Sequence, residues 1–326
     1  MVYLLQSAGL AFVLAVILAP GVIKKLRELH FGQKILEDGP TWHAGKQGTP
    51  TMGGVIFIAA MSLAVLTFLP RMIAQRDFRP LVMLGLSLIF AAVGFVDDWT
   101  KIRKKRNQGI TPKQKLLLQM AAAVLFLVVM RVMGYLSAGL YIPFAGATVR
   151  LPWILYLILS VFIIVGADNA VNLTDGIDGL CTSVTLVVSV FFSIVFLRES
   201  SGASIFSLAL AGGLLGFFLF NKHPARVFMG DTGSLFLGGA VCAMAFAYDM
   251  PLILIPVGMV YILETLSDII QVTYFKATHG KRFFKMAPLH HHLEKCGWSE
   301  WKIVGVFSAV TAVCSLLAWF GIQGRF

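Results

Sequence analysis

Long apolar runs separated by short polar stretches make up most of the chain. A helix that crosses a membrane needs roughly 20 mostly apolar residues, with a range of about 17–25. Runs of that kind fall near residues 3–23, 52–69, 80–96, 116–136, 152–170, 178–197, 203–220, 233–249, 250–272 and 302–322. The pattern predicts an all-α integral membrane protein with about ten transmembrane helices, organised as a single polytopic membrane domain over residues 1–326. An even number of spans returns both termini to one side. The stretch 137–151 is different: Gly139, Pro143 and Gly146 punctuate alternating apolar residues, which predicts a small hairpin. No regular repeat, low-complexity tract or linker divides the chain.

Composition supports lipid as the solvent. Of the 326 residues 58% are hydrophobic and 13% charged, against about half and about a quarter in soluble domains. The net charge of +11 fits either nucleic-acid binding or positively charged cytoplasmic loops. The basic residues lie between the apolar runs, which favours the loops and predicts no nucleic-acid partner. Of the 27 Lys and Arg residues, loops 24–51, 97–115, 171–177, 221–232 and 273–301 carry five, seven, none, two and five. That excess puts those loops in the cytoplasm and both termini outside. Lys24, Lys25 and Arg27 follow the first apolar run, and no basic residue precedes it, which predicts a first helix and no cleaved leader. Cys181, Cys242, Cys296 and Cys314 form no C-x-x-C pair and read as reduced packing residues.

The acidic residues concentrate on the cytoplasmic side. Ionisable groups at membrane depth are costly and point to function, whereas an isolated one at a helix end serves as a cap. Asp97 and Asp98 end the third run, with Lys101 just beyond. At a helix end both carboxylates can bend toward one cation, and magnesium takes one or two carboxylates together with substrate phosphates. Lys101 either counters an anionic substrate or belongs, with the run to Arg106, to the topogenic charge. A second cluster runs from Asn169 to Gly179 and includes Asn172, Asp175 and Asp178. Its Asp-Gly steps allow tight turns, and the two aspartates could also cap the next helix. The third cluster, 221–234, holds Asn221, His223, Phe228 and Asp231. Asp231 before Thr232, Gly233 and Ser234 reads as a ligand at a helix N-terminus. Phe228 either stacks on a base or packs against the membrane surface. The fourth cluster carries His290, His291 and His292. Zinc ligands are usually two to four residues apart or in H-E-x-x-H, so the histidines read first as neutral or cationic donors to phosphate or sugar, with metal binding the lesser alternative. Lys46 and Thr51 lie in a Gly-rich stretch that is not a Walker A loop, and Lys113 lies at headgroup depth before the fourth run.

Taken together, these motifs resemble those of the polyprenyl-phosphate N-acetylhexosamine-1-phosphate transferases. The resemblance rests on G-K-x-G-T-P-T-M-G-G, D-D-x-x-K, P-K-x-K, N-A-V-N-L-T-D-G-x-D-G-L, F-M-G-D-T-G-S and M-A-P-x-H-H-H-x-E, and covers essentially the whole chain. The triple-His motif resembles the muramoyl-pentapeptide branch more than the N-acetylglucosamine branch.

The resemblance implies transfer of phospho-N-acetylmuramoyl-pentapeptide from its UDP-linked donor to undecaprenyl phosphate, with release of UMP and formation of lipid I for peptidoglycan. It further implies Mg2+ on Asp231, with Asp97 and Asp98 as essential acids near metal and lipid phosphate. Asn172, Asp175 and Phe228 would belong to the nucleoside pocket. Lys46, Thr51, Lys113, Asp178, Asn221, His290 and His291 would line the rest of the cleft, with His292 beside them. A homodimer in the bacterial plasma membrane is also implied. Asp168 stands where the family more often has Ser, and Asp268 where it more often has an apolar residue, which bears on packing and not on the reaction. Two alternatives are a UDP-N-acetylglucosamine transferase of the sister branch and a secondary transporter. A transporter would place its acids near the midplane, whereas these sit at one interface.

Overall fold

The structure, a computed structural model, describes residues 2–29, 46, 48–104 and 108–325. Residues 42–45 and 47 of the Gly-rich stretch, with Lys105 and Arg106 of the basic run, lie outside the described residues. The helices are α1 (Val2–Glu28), α2 (Gly54–Leu66), α3 (Leu69–Gln75), α4 (Arg79–Arg103), α5 (Pro112–Val132), α6 (Trp153–Leu173) and α7 (Leu180–Arg198). They continue with α8 (Ser204–Asn221), α9 (Gly230–Ala247), α10 (Leu254–Val257), α11 (Met259–Ala277), α12 (Leu289–Lys295) and α13 (Glu300–Gly321).

Among the described residues, eight helices are long and apolar enough to cross a membrane, and two bent pairs bring the total up to ten. The spans expected at 52–69 and 250–272 are the two that bend. Between α2 and α3 the axis turns by 47°, where Pro70 cannot donate a helical hydrogen bond. Between the Pro251–Val257 segment and α11 it turns by 79°, where Pro256 and Gly258 interrupt the ladder.

Helix ends also run past the apolar runs. Lys24, Lys25 and Arg27 lie on α1 instead of in a loop, and α4 continues one turn beyond Asp98. Backbone amides are satisfied most cheaply within the helix, so helices extend into the headgroup layer after apolarity ends. Pro112 and the Thr111–Gln114 capping box start α5, and Ser299 caps α13.

Helix α9 is almost wholly buried and packs against α2, α4, α6 and α7. Its Gly and Ala positions allow backbones to approach closely. A Cβ on Gly94 would collide with the Asp231 carbonyl oxygen, so α4 meets the start of α9 where only glycine fits. Phe57 of α2 packs edge-on against Phe217 of α8, with ring centroids 5.1 Å apart. Around this centre α1 lies on α8 and α2, α5 on α4 and α6, and α13 on α7.

The 137–151 stretch forms the expected hairpin, strand β1 (Gly139–Ile142) antiparallel to β2 (Ala147–Arg150), in the register Leu140↔Val149. Phe144 at its tip donates its backbone N–H to the Gly321 carbonyl at the end of α13. On the opposite side of the bundle converge the C-terminal ends of α4, α6 and α8 and the N-terminal ends of α5, α7, α9 and α13.

Candidate active site

The first group of polar side chains gathers where α4, α5, α6 and α9 meet. Asp97, Asp98 and Asp231 each offer a carboxylate oxygen within 4.8 Å of the others. The two adjacent aspartates both come within reach of one cation, as the sequence suggested: Lys101 Nζ lies 2.7 Å from Asp97 and 4.0 Å from Asp98. Asp98 is buried and turns to the N-terminus of α9. It accepts the backbone N–H of Thr232 at 2.8 Å, the Thr232 hydroxyl at 2.7 Å and the Asp231 N–H at 3.2 Å. It thus caps a helix to which it does not belong. Asp97 accepts the Ile110 N–H at 2.9 Å, and its other oxygen lies 2.7 Å from Lys101 Nζ.

Two ammonium groups converge on Asp231. Lys101 Nζ and Lys115 Nζ each lie 3.1 Å from Asp231 Oδ2. The sequence leaves Lys101 between counter-ion and topogenic charge and gives Lys115 no role of its own. Lys101 follows Asp97 by four positions and Asp98 by three, a spacing that puts it on their helix face. Lys113, the expected lysine, is exposed, whereas Lys115, two positions on and across the helix, is partly buried against Asp231. Three carboxylates against two ammonium groups leave one net negative charge. Asn172 reaches the same place, its Nδ2 lying 3.4 Å from Asp231 Oδ1 and 3.1 Å from Ser234 Oγ. The Thr51 hydroxyl lies against Gly230, beside the Asp98 carboxylate. An all-oxygen donor set of carboxylates, with cations already drawn to it, fits a hard ion such as magnesium. With Asp98 engaged as a cap, Asp231 and Asp97 are the residues placed to hold it.

The second group lies across the α6–α7 turn. Asp178 is buried. Its oxygens face Lys46 Nζ at 2.7 Å, His223 Nδ1 at 3.0 Å and the Ala225 N–H at 2.9 Å. It does not cap α7, whose N-cap Gly179 has a left-handed backbone (φ +77°) and no side-chain cap. Glu300, unremarked in the sequence, lies 2.8 Å from Lys46 Nζ. Asp175 sits in the same turn. Its burial, with the carboxylates of Asp231, Asp98 and Asp178 nearby, holds its pKa well above the ordinary carboxylate range. Asn221 is buried in the interior, accepting from the Thr182 hydroxyl at 2.6 Å and donating to the Val227 carbonyl at 3.0 Å. Its amide therefore shapes the loop after α8. Phe228 is held by its backbone: its N–H donates to Pro50 and its carbonyl accepts from Gly53, both at 2.8 Å, and its ring is partly exposed.

The three histidines part company. His290 is buried. Its Nδ1 lies 2.9 Å from Glu264 Oε2, and its Nε2 points at Gly176, where a Cβ would collide with it. That contact needs glycine in the Asp175–Asp178 turn. Glu264 is a buried acid within an apolar run, a cue available in the sequence. His291 Nδ1 lies 2.6 Å from Glu294. His292 accepts the Lys285 N–H and packs against Phe284, so it braces the loop before α12. Asp168 and Asn169 join a buried amide network with Gln119 of α5.

Residues 80–249 match the family described as Glycosyl transferase family 4. Residues 46–58 match Phospho-N-acetylmuramoyl-pentapeptide-transferase signature 1, the stretch carrying Lys46 and Thr51. A phospho-N-acetylmuramoyl-pentapeptide-transferase of Clostridium acetobutylicum is 45% identical over 322 residues, covering 98% of this chain and 99% of its own. One from Listeria monocytogenes serotype 4b is 44% identical over 323 residues, covering 96% and 98%. One from Bacillus cytotoxicus is 46% identical over 318 residues, covering 96% of each.

Proposed function

Because the chain belongs to the phospho-N-acetylmuramoyl-pentapeptide transferase family, we propose that it joins phospho-N-acetylmuramoyl-pentapeptide, from its UDP-linked donor, to undecaprenyl phosphate, making lipid I. An acceptor phosphate oxygen forms a bond to the sugar-linked phosphorus. The bond from that phosphorus to the UMP oxygen breaks, and UMP leaves with the electron pair.

Such transfer depends on positioning and charge neutralisation more than on covalent help from the protein. The observation that carries this reading is the convergence of Lys101 and Lys115 on Asp231, each at 3.1 Å, beside Asp97. The two ammonium groups attract and orient the phosphates of both substrates. Asp231, with Asp97, is the pair suited to hold magnesium, which when bound neutralises charge on the donor's pyrophosphate. A phosphate monoester has a second pKa of about 6, so the acceptor is largely a dianion at neutral pH. Asp97 then acts through charge and position more than as a base. Lys46, Asp175, Asp178 and Phe228 form the donor side, with Phe228 available to stack on uracil. His290, held by Glu264, faces the turn that carries Asp175 and Asp178.

The distribution of Lys and Arg supports a bacterial plasma-membrane protein with catalytic loops in the cytoplasm and both termini outside. The continuous packing of α1 through α13 supports one membrane domain. A homodimer is part of the same proposal, to be tested by crosslinking in membranes. Activity is tested with purified protein, polyprenyl phosphate and magnesium, reading UMP release from UDP-N-acetylmuramoyl-pentapeptide and from UDP-N-acetylglucosamine. The muramoyl donor alone should support turnover. Preference for the N-acetylglucosamine donor would move the chain's activity to the sister branch, and solute flux without UMP would indicate a transporter.

A further inference from the structure

Four side chains from separate parts of the chain meet at one point that no sequence motif connects. Lys46 Nζ lies 2.7 Å from Asp178 Oδ1 and 2.8 Å from Glu300 Oε2. Glu300 Oε2 also accepts the backbone N–H of Asp178 at 3.0 Å, and Glu300 Oε1 lies 3.4 Å from His223 Nδ1. One carboxylate at the start of α13 therefore ties together the Gly-rich stretch, the α6–α7 turn and the loop between α8 and α9. A first-turn glutamate usually needs no such partners, since it complements the helix dipole while facing water. Here the Glu300 side chain is only 11% exposed and both its oxygens are engaged.

We propose that Glu300 is a positioning residue for the UDP-donor site, an inference that rests on the donor-side reading above. It touches no substrate. It holds the Lys46 ammonium and the Asp178 backbone in fixed relation, so that the donor meets a preformed surface. The reacting phosphates sit by Asp97, Lys101, Lys115 and Asp231, on α4, α5 and α9, whereas the partners of Glu300 are Lys46, Asp178 and His223. Loss of Glu300 should therefore weaken donor binding and spare acceptor binding and the chemical step.

The test is steady-state UMP release by full-length wild type, Glu300→Gln and Glu300→Asp, varying donor at saturating polyprenyl phosphate and then the reverse. Glu300→Gln removes a charged hydrogen bond, so its donor KM should rise about tenfold, with kcat and acceptor KM within about twofold. Glu300→Asp keeps the charge with shorter reach and should fall between. In a Lys46→Met background Glu300→Gln should add less than about threefold, because the group it positions is gone. Unchanged donor KM in both variants would overturn the proposal. So would parallel losses in kcat, both KM values and melting temperature, which would make Glu300 a strut only. A wild type that releases no UMP from this donor would overturn the donor reading and the proposal with it. Normal wild-type turnover with unaffected variants would overturn the proposal alone.

Discussion

Lys115 and Lys113 differ in residue type by nothing and in position by two, yet only Lys115 reaches Asp231, at 3.1 Å. Lys115→Met should lower kcat by about 10²-fold, the scale for losing one group that stabilises developing charge, in an assay of UMP release at saturating substrates. A loss below threefold would remove Lys115 from the machinery. Phe228→Ala should weaken binding of a uridine ligand by about 1–3 kcal/mol, the worth of stacking on a base, while leaving acceptor KM unchanged. Calorimetry with UMP reads this directly, and unchanged affinity would return Phe228 to packing. At this scale the sequence was legible where local pattern placed acids together: Asp97, Asp98 and Asp231 lie in the first group, whereas Asn172, expected on the nucleoside side, reaches Asp231 instead. It was silent where partners are remote. Glu300 is 254 positions from Lys46, and nothing near it in the chain marks that contact. For Lys101 the sequence leaves two roles open, counter-ion or topogenic charge, because counting charges gives no direction, although its spacing from Asp97 and Asp98 carries one.

At the scale of elements, the start of α9 is organised by a carboxylate from α4. Asp98→Ala leaves the Thr232 N–H and hydroxyl without their acceptor, in a buried setting where an N-cap is worth about 1–2 kcal/mol. The melting temperature in detergent should fall by several degrees, about the shift that such a loss produces. Asp98→Asn keeps an acceptor oxygen and should fall less. Equal melting of both variants and wild type would refute the cap. Apolar run length made nearly every span visible, and the hairpin showed in its Gly and Pro punctuation. The bends and the helix ends were less visible. Pro70, Pro256 and Gly258 weaken the ladder locally, but how far an axis turns depends on what packs beside it. Helices such as α4 run on past their apolar stretch because backbone hydrogen bonding continues where hydropathy stops.

Across the whole molecule, the fold brings helix ends, among them those of α4, α6, α8 and α9, to one side of the bundle and places two charged groups there, one of carboxylates and lysines by α4, α5 and α9, the other by the α6–α7 turn. The alternation of spans made that side legible in advance, since every polar cluster falls in loops of the same parity. Which clusters meet was not legible: the fourth splits, with His290 turned inward to Glu264 and His292 bracing an outer loop. The proposed reaction requires Asp231 to be the point on which cations and phosphates converge. The most direct measurement is UMP release by wild type and Asp231→Asn across a magnesium titration, with melting temperature recorded beside it. The expected result is a folded Asp231→Asn protein whose turnover falls by about 10³-fold or more, as for removal of a charge-stabilising group, and is not restored at low magnesium. Near-wild-type turnover of Asp231→Asn at low magnesium would contradict it.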